Sequence, residues 1–180
     1  MNINMDASKI PFNALIVGPT NSGKSRFVVD QLYSPFRDNF DYIVLICPTF
    51  RHNKTYHRLG ENDPRMDVIV CKQRDVERWL KLVRWLSEGT NTLIILDDCA
   101  ASKDVKGRTG ELVNLAFSAR HMGISVWALT QKLTELHLPS VRTWRRSSSF
   151  TPLRRGQRKP SSTITLASSP LMSTKAWFQS

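Results

Sequence analysis

The amino-acid sequence predicts an α/β fold in which a mainly parallel sheet is covered by helices on both faces. Short apolar segments alternate along the chain with segments of helical spacing, as in consecutive β-α units. The apolar segments are near-continuous, as at residues 93–96, which is typical of strands buried on both faces. The length of 180 residues suits one layered core rather than two.

The predicted elements follow one another in a regular order. Apolar segments predict five strands, at residues 12–17, 41–47, 67–71, 92–96 and 124–130. Helical spacing of apolar residues predicts three helices, at residues 24–32, 74–87 and 110–121. Gly89 and Gly123 stand just beyond the second and third helices, where glycine favours helix termination. A polar, basic segment at residues 51–63 lies between the second and third strands.

The basic charge of the chain is concentrated at its C-terminal end. The formal net charge is +11, yet residues 1–140 hold 18 Lys and Arg against 15 Asp and Glu. Residues 141–180 hold eight basic residues and no acid. The overall charge is therefore no indication that the globular part binds nucleic acid.

The composition changes abruptly after Arg142. We predict a folded domain at residues 1–142 and a basic tail rich in Ser, Arg and Pro at residues 143–180, without packed structure. Three origins of this tail remain open: a disordered extension, a basic binding arm, or a shift of reading frame near residue 143.

The cysteines and histidines form no metal-binding pattern. Cys47, Cys71 and Cys99 include no C-x-x-C pair and have no histidine at zinc spacing, which predicts buried, reduced thiols and no transition metal. No apolar run approaches the roughly 20 residues that cross a bilayer, and the N-terminus lacks the pattern of a secretory signal. We expect an intracellular protein, cytoplasmic or nuclear, without a membrane partner.

Residues 18–25 match the phosphate-binding pattern G-x-x-x-x-G-K-[ST] at every fixed position. The eight residues are Gly18, Pro19, Thr20, Asn21, Ser22, Gly23, Lys24 and Ser25. Such a P-loop, placed between a strand and a helix, turns backbone N–H groups toward a β-phosphate, and the helix N-terminus adds its positive end. Lys24 is expected to bridge the β- and γ-phosphates, and the hydroxyl of Ser25 to bind Mg²⁺. The loop therefore predicts a site for ATP and Mg²⁺.

Two further strands end in polar residues that suit the same site. The strand at 92–96 is followed by Asp97 and Asp98, at the sheet edge where ligands bind in open α/β folds. We expect Asp97 to hold Mg²⁺ through water, and Asp98 to orient or activate the water that attacks the γ-phosphate. The strand at 124–130 is followed by Gln131, whose amide is able to contact both the γ-phosphate and that water.

The segments GPTNSGKS, LIILDD and ARHMGISVWALTQ, in this order, resemble the FtsK–HerA superfamily of P-loop ATPases. Within it, the sequence is most similar to the genome-packaging ATPases of poxviruses and other large DNA viruses, over about residues 10–142. The resemblance implies a three-layer P-loop NTPase fold of the RecA/ASCE-like class. It also implies ATP hydrolysis by a homo-oligomeric ring that translocates double-stranded DNA, with Gln131 as γ-phosphate sensor and Arg120 presented to a neighbouring subunit's nucleotide.

The sequence departs from the superfamily at two places. Many members have Asp-Glu where this chain has Asp97-Asp98, and the shorter side chain reaches about an ångström less far, which predicts slower hydrolysis. After Val141-Arg142-Thr143, the family continues into a further strand, whereas this chain continues with WRRSSS. One or more C-terminal strands are therefore expected to be missing from the sheet.

The remaining hypotheses concern DNA contact and alternative functions. The residues from Phe50 to Arg58 mix bases with aromatics, a composition suited to phosphate contact and stacking, or to a solvated helix. A truncated, inactive nucleotide-binding remnant and a P-loop kinase are the alternatives to a packaging motor. A GTPase is disfavoured because Thr130-Gln131-Lys132-Leu133 does not match the Asn-Lys-x-Asp pattern that reads guanine.

Overall fold

A computed structural model describes residues 10–34, 36–60, 63–99, 110–131 and 165–168 of the chain. Six strands in this part of the chain form one sheet. They are β1 Ala14–Val17, β2 Tyr42–Ile46, β3 Met66–Ile69, β4 Thr92–Asp97, β5 Ile124–Thr130 and β6 Thr165–Ser168. Their order in the sheet is β3-β2-β4-β5-β1-β6. The first five strands are parallel, and β6 is antiparallel to β1. The predicted mainly parallel sheet is confirmed.

Four α-helices are described. They are α1 Lys24–Tyr33, α2 Lys54–Gly60, α3 Val76–Leu86 and α4 Glu111–Ser118. Two predicted helices are shorter at one end, where 3-10 turns at Gln73–Asp75 and Ala119–Met122 take their place. A third 3-10 turn, Phe50–His52, precedes α2 in the segment for which a solvated helix was one of two interpretations. Apolar periodicity is weak in this segment, so α2 was not among the helices predicted from spacing.

The helices form one layer on each face of the sheet. Side chains of α1 and α2 pack on one face, in a core that includes Val28, Leu32 and Tyr56. Side chains of α3 and α4 pack on the other, in a core that includes Leu80 and Leu115. Successive side chains of a strand point to opposite faces, so each central strand contributes to both cores. This arrangement explains why the central strands are continuously apolar.

Trp127 of β5 lies at the centre of the α1 face. It is fully buried and contacts the rings of Phe12, Phe36 and Phe40 at centroid distances of 5.2–6.1 Å. Edge-on arrangements at such distances add to the stabilisation from area burial. The cluster packs β5 against residues that precede β1 and β2 in the chain.

A buried asparagine joins β1 to β5 and α4. Asn13 donates from Nδ2 to the carbonyl of Ala116 (3.2 Å) and accepts at Oδ1 from the N–H of Val126 (3.1 Å). Both functions of its side chain are thus satisfied away from water, as a buried amide requires. Asn13 thereby holds β1, which leads into the P-loop, against β5, which leads to Gln131.

Strand β6 differs from the sequence-based expectation. Residues 143–180 were expected to lack packed structure, yet Thr165–Ser168 pair with β1, with Val17 opposite Thr165. Without such a partner β1 would expose a row of unpaired N–H and C=O groups at the sheet edge, which is the physical reason for a strand to add there. The expectation that nothing follows Arg142 in the sheet does not hold for these four residues.

Two of the three cysteines are buried. Cys47 and Cys99 lie in the core as expected, whereas Cys71 is only partly buried, and none of the three is in a disulfide. Burial raises the pKa of the Cys47 thiol to about 11, so the unreactive neutral form is favoured. Within the described residues, no helix has both the length and the apolar character needed to cross a membrane.

Replacing Gly123 by alanine is expected to destabilise the fold by about 2–5 kcal/mol. Gly123 has φ +77°, and a Cβ atom there would lie 2.7 Å from the carbonyl oxygen of Thr90. A left-handed backbone costs a non-glycine residue about 1–2 kcal/mol, and overpacking adds about 1–3 kcal/mol. Gly89→Ala is the matched control, because Gly89 has φ +82° but open space around its Cβ position. Urea unfolding measures both, and equal losses for the two variants would contradict the steric argument.

Candidate nucleotide site

Three strands bring the predicted site residues to one edge of the sheet. Strand β5 lies between β1 and β4, with Val17 opposite Thr130 and Asp97 opposite Leu129. Because these strands are parallel, the segments that follow them meet at the carboxyl edge. Part of the P-loop, the two aspartates and Gln131 accordingly line a single cleft of about 800 Å³. The cleft is lined by Thr20, Asn21, Ser22, Gly23, Lys24, Ser25, Arg26, Thr49, His52, Asn53, Lys54, Thr55, Asp97, Asp98, Leu129, Thr130 and Gln131.

The backbone of the P-loop has the left-handed conformations that such a loop needs. Asn21 has φ 60° and Gly23 has φ 87°, and Gly23 immediately precedes α1. The hydrogen bond from the N–H of Phe27 to the carbonyl of Gly23 (2.8 Å) shows where the i to i−4 bonding begins. The N–H groups of residues 24–26 therefore precede the intrahelical ladder and point out of the helix end, which makes an anion-binding site.

Gly18 and Pro19 shape the loop rather than line the cleft. The N–H of Gly18 donates to the carbonyl of Thr130 (3.2 Å), so the loop leaves the sheet beside the end of β5. The carbonyl of Pro19 accepts from the N–H of Ser22 (3.2 Å), which closes a tight turn. Both residues were predicted to bind the cofactor; neither lines the cleft, which begins at Thr20, and their contact with a cofactor stays a prediction.

The Lys24 ammonium lies over the loop that precedes it. Its Nζ donates to the carbonyl oxygens of Gly18 (2.7 Å) and Pro19 (2.9 Å). These bonds hold the positive charge at the mouth of the loop, next to the N-terminal end of α1. A phosphate entering the loop would meet the ammonium and the helix end together.

Ser25 and Asp97 form a hydrogen-bonded pair beneath the cleft. The Ser25 hydroxyl donates to Oδ2 of Asp97 at 2.8 Å. Asp97 is only 7% exposed, and burial raises the pKa of its carboxyl group, with the Ser25 hydrogen bond opposing the shift. A buried carboxylate beside a hydroxyl offers the hard oxygen ligands that Mg²⁺ prefers, and a cation there would offset the cost of burying the charge. The residues present therefore fit a magnesium site.

Asn53 and Tyr56 also adjoin this pair, and sequence reasoning did not assign them to the site. Asn53 Nδ2 donates to Ser25 Oγ at 3.3 Å and lies 3.5 Å from Asp97 Oδ2. Tyr56 is fully buried, and burial, followed by the negative charge of Asp97, raises the pKa of its phenol. Neither residue belongs to a motif, so the sequence contains no signal that would have found them.

Asp98 lies differently from Asp97 although the two are adjacent. Its side chain is exposed and lines the cleft, and its φ of 57° turns the chain out of β4. The Gln73 side chain donates to its backbone carbonyl at 2.5 Å, which holds this turn in place. An aspartate with a left-handed backbone conformation is uncommon outside turns and functional sites. The second carboxylate is thus presented to the cleft rather than to the metal-binding pair.

Gln131 and Arg120 lie beyond opposite ends of the central strand β5. Gln131 follows β5 directly, is exposed and lines the cleft. Arg120 belongs to the 3-10 turn that precedes β5 and does not line the cleft. The seven residues of β5 place roughly 20 Å between the two positions. Arg120 therefore cannot reach the nucleotide of its own subunit, and its role toward a neighbouring subunit stays a prediction.

The fold and the cleft define the chain as a P-loop NTPase domain of the three-layer, RecA/ASCE-like class. Its sequence matches the model of the poxvirus A32 protein family over residues 4–150, so the chain belongs to that family. This match confirms the resemblance noted from the motifs, and it extends eight residues past Arg142. A search of curated proteins finds no match.

Solved structures with the same fold include viral packaging NTPases and a conjugation coupling protein. One is the genome packaging NTPase B204 from Sulfolobus turreted icosahedral virus 2, in complex with ATP-gammaS (17% identity, TM-score 0.59, covering 77% of this chain and 73% of that one). Another is B204, the DNA-packaging ATPase from Sulfolobus turreted icosahedral virus (19%, 0.55, 74% and 71%). A third is the pCW3 conjugation coupling protein TcpA with ATPgS (16%, 0.52, 79% and 49%). At these identities the similarity shows the fold alone.

Proposed function

We propose that this chain is the ATP-hydrolysing subunit of a viral genome-packaging motor that moves double-stranded DNA. The observation that carries the proposal is the convergence of Lys24, the Ser25–Asp97 pair, Asp98 and Gln131 on one cleft at the carboxyl edge of the sheet. The family match and the packaging NTPases among the structural neighbours support the choice of a motor over other P-loop enzymes.

The residues of the cleft suit hydrolysis of a nucleoside triphosphate. The N–H groups at the start of α1 hold the β-phosphate, and Lys24 exchanges its two carbonyl partners for β- and γ-phosphate oxygens. Ser25 and Asp97 hold Mg²⁺, which when bound neutralises phosphate charge. Asp98 accepts a proton from the attacking water, and Gln131 orients that water against the terminal phosphate.

An exposed apolar stripe supports assembly of several copies into a homo-oligomeric ring. On α3, Trp79, Leu82, Trp85 and Leu86 are 36%, 41%, 72% and 63% exposed. Helical spacing places these side chains on one side of α3, beside its buried face. Contiguous exposed apolar side chains of this size commonly mark an interaction surface. Sedimentation velocity with Mg-ATP and DNA tests the assembly, and a monomer at every concentration would contradict it.

ATP turnover of the purified chain is expected to rise in the presence of double-stranded DNA. A motor couples hydrolysis to movement on DNA, so DNA binding speeds the nucleotide cycle. The measurement is steady-state phosphate release with and without DNA, at fixed salt because phosphate contacts depend strongly on ionic strength. Turnover that DNA leaves unchanged would contradict the motor. Tight ATP binding without hydrolysis would indicate an inactive remnant, and phosphate transfer to nucleosides would indicate a kinase.

A further inference from the structure

A second groove opens beside the nucleotide cleft, between α1 and the segment 50–57. Its volume is about 1250 Å³, and Arg26, Tyr33, Arg51, His52, Lys54 and His57 are among its lining residues. Arg26, His52, Lys54 and Thr55 line both this groove and the cleft, so the two spaces adjoin and share a wall. We refer to it as the basic groove.

The basic groove carries an excess of positive charge at exposed positions. Among its described lining residues the one acid is Asp30, which pairs with Arg26 at 2.9 Å, and both side chains are largely exposed. Arg51 and Lys54 are exposed and make no ion pair with any residue that the structure describes. An exposed ion pair contributes little, so Arg26 is able to exchange Asp30 for another anion. The groove therefore suits a ligand with several negative charges.

The aromatic residues of the segment 50–57 mostly face inward. Tyr56 is fully buried, and Phe50 packs against the core on the α1 face while its ring stacks on His57 at 5.1 Å. Proteins that bind single strands use exposed rings on which bases stack. Tyr33 of α1 contributes one exposed ring to the groove, whereas Arg26, Arg51 and Lys54 contribute exposed cations. This excess of cations over exposed aromatic rings favours contact with the phosphates of a duplex.

Asn53 links the basic groove to the metal-binding pair. Its Oδ1 accepts from the N–H of Thr55 at 3.2 Å, so its Nδ2 must face Ser25 and Asp97. This bond lies at the start of α2, which carries Lys54 into the groove. One side chain thus contacts both the Ser25–Asp97 pair and the start of the helix that forms a wall of the groove.

We propose that the basic groove binds the phosphate backbone of double-stranded DNA, and that Asn53 is a positioning residue that couples DNA affinity to the nucleotide state. The inference rests on the proposed function and adds to it a surface and a coupling residue. Binding through phosphates alone makes the contact independent of base sequence, as movement along a whole genome requires.

The groove is tested with Arg51→Glu in the full chain, because Arg51 lines the groove and not the cleft. Affinity for a fluorescein-labelled duplex, measured by anisotropy, is expected to fall about tenfold or more, the loss typical of one charge-assisted hydrogen bond. DNA-free ATP turnover is expected to stay unchanged. Arg78→Glu on the exposed side of α3 is the matched control and is expected to lose much less. Equal losses of duplex affinity in Arg51→Glu and Arg78→Glu would overturn the assignment of the basic groove as the DNA-binding surface.

The coupling is tested with Asn53→Ser. Serine still caps the start of α2, but it is too short to reach Ser25 and Asp97. In the unmodified chain, Mg²⁺ with a non-hydrolysable ATP analogue is expected to change duplex affinity severalfold. In Asn53→Ser the nucleotide-free affinity is expected to persist within about twofold, and the analogue-dependent change to disappear. If the analogue changes duplex affinity by the same factor in Asn53→Ser as in the unmodified chain, Asn53 does not couple the nucleotide state to DNA affinity.

These outcomes separate the inference from the proposed function. Suppose that the unmodified chain hydrolyses ATP and binds duplex DNA while Arg51→Glu binds duplex equally well. The basic groove is then not the DNA-binding surface, and the proposed motor function is unaffected. If the unmodified chain binds no duplex, the proposed function fails and the groove with it. Single-stranded DNA that competes better than duplex at equal nucleotide concentration would overturn the choice of ligand.

Discussion

Replacing Lys24 by alanine is expected to lower ATP turnover by about two to three orders of magnitude, the loss typical of removing one transition-state donor. The Lys24 ammonium lies at the mouth of the P-loop, held by two loop carbonyls, where charge accumulates on the γ-phosphate during transfer. The variant also loses these two hydrogen bonds, so nucleotide affinity is expected to fall as well. Steady-state turnover and titration with a fluorescent ATP analogue measure the two effects separately.

Lys81→Ala is the control for Lys24→Ala. Lys81 is an exposed lysine of α3, outside the cleft. Both variants lose one lysine, so effects of net charge are matched, and Lys81→Ala is expected to retain nearly full turnover. Turnover of Lys24→Ala within tenfold of the unmodified chain would contradict the assignment of the loop as the catalytic phosphate site.

The second prediction is that Asp97→Asn abolishes Mg-ATP hydrolysis yet stabilises the nucleotide-free protein. A metal ion contributes several kcal/mol to the transition state, so losing its carboxylate ligand should cost at least about a hundredfold in rate. Stability should change in the opposite direction, because burial raises the pKa of Asp97 and so makes its charged form unfavourable in the folded state. Asparagine keeps an oxygen for the Ser25 hydrogen bond and carries no charge.

The sign of the stability effect depends on pH. A carboxyl group whose pKa is raised on folding costs stability once the pH rises above its unfolded value of about 3.9. Asp97→Asn is therefore expected to melt a few degrees higher than the unmodified chain at pH 7. The difference should shrink as the pH is lowered toward about 4. Thermal unfolding at several pH values checks this, and a lower melting temperature at pH 7 would contradict the burial argument.

Asp98→Asn separates the two acidic roles. Asp98 is exposed in the cleft, and the Ser25 hydroxyl bonds to Asp97, so loss of the Asp98 carboxylate should leave Mg-ATP binding intact while lowering turnover. Mg-ATP is expected to raise the melting temperature of Asp98→Asn and of the unmodified chain, but not that of Asp97→Asn. A similar Mg-ATP shift in both variants would contradict the assignment of Asp97 as the metal-binding carboxylate.

Much of the fold could be predicted from local patterns. Residues 124–130 were predicted as a strand with the observed bounds, and the other strands differ by a few residues at their ends. The P-loop could be recognised because glycine, lysine and serine are required at fixed spacing by a phosphate bound to the backbone. Weak apolar periodicity left a helix as one of two interpretations of the segment that contains α2. The polar, basic composition of residues 143–180 gave no indication of β6.

The sequence by itself determined the alternation of strands and helices, the P-loop, and the polar residues at the ends of β4 and β5, because each depends on neighbours within a few positions. Only the tertiary structure decided which distant residues meet. It placed Asn53 and Tyr56 beside the Ser25–Asp97 pair, placed Arg120 at the end of β5 away from the cleft, and gave the basic groove and the cleft a shared wall. The physical reason is that strand order and helix packing arise from burial of apolar faces over the whole chain, which no local spacing encodes.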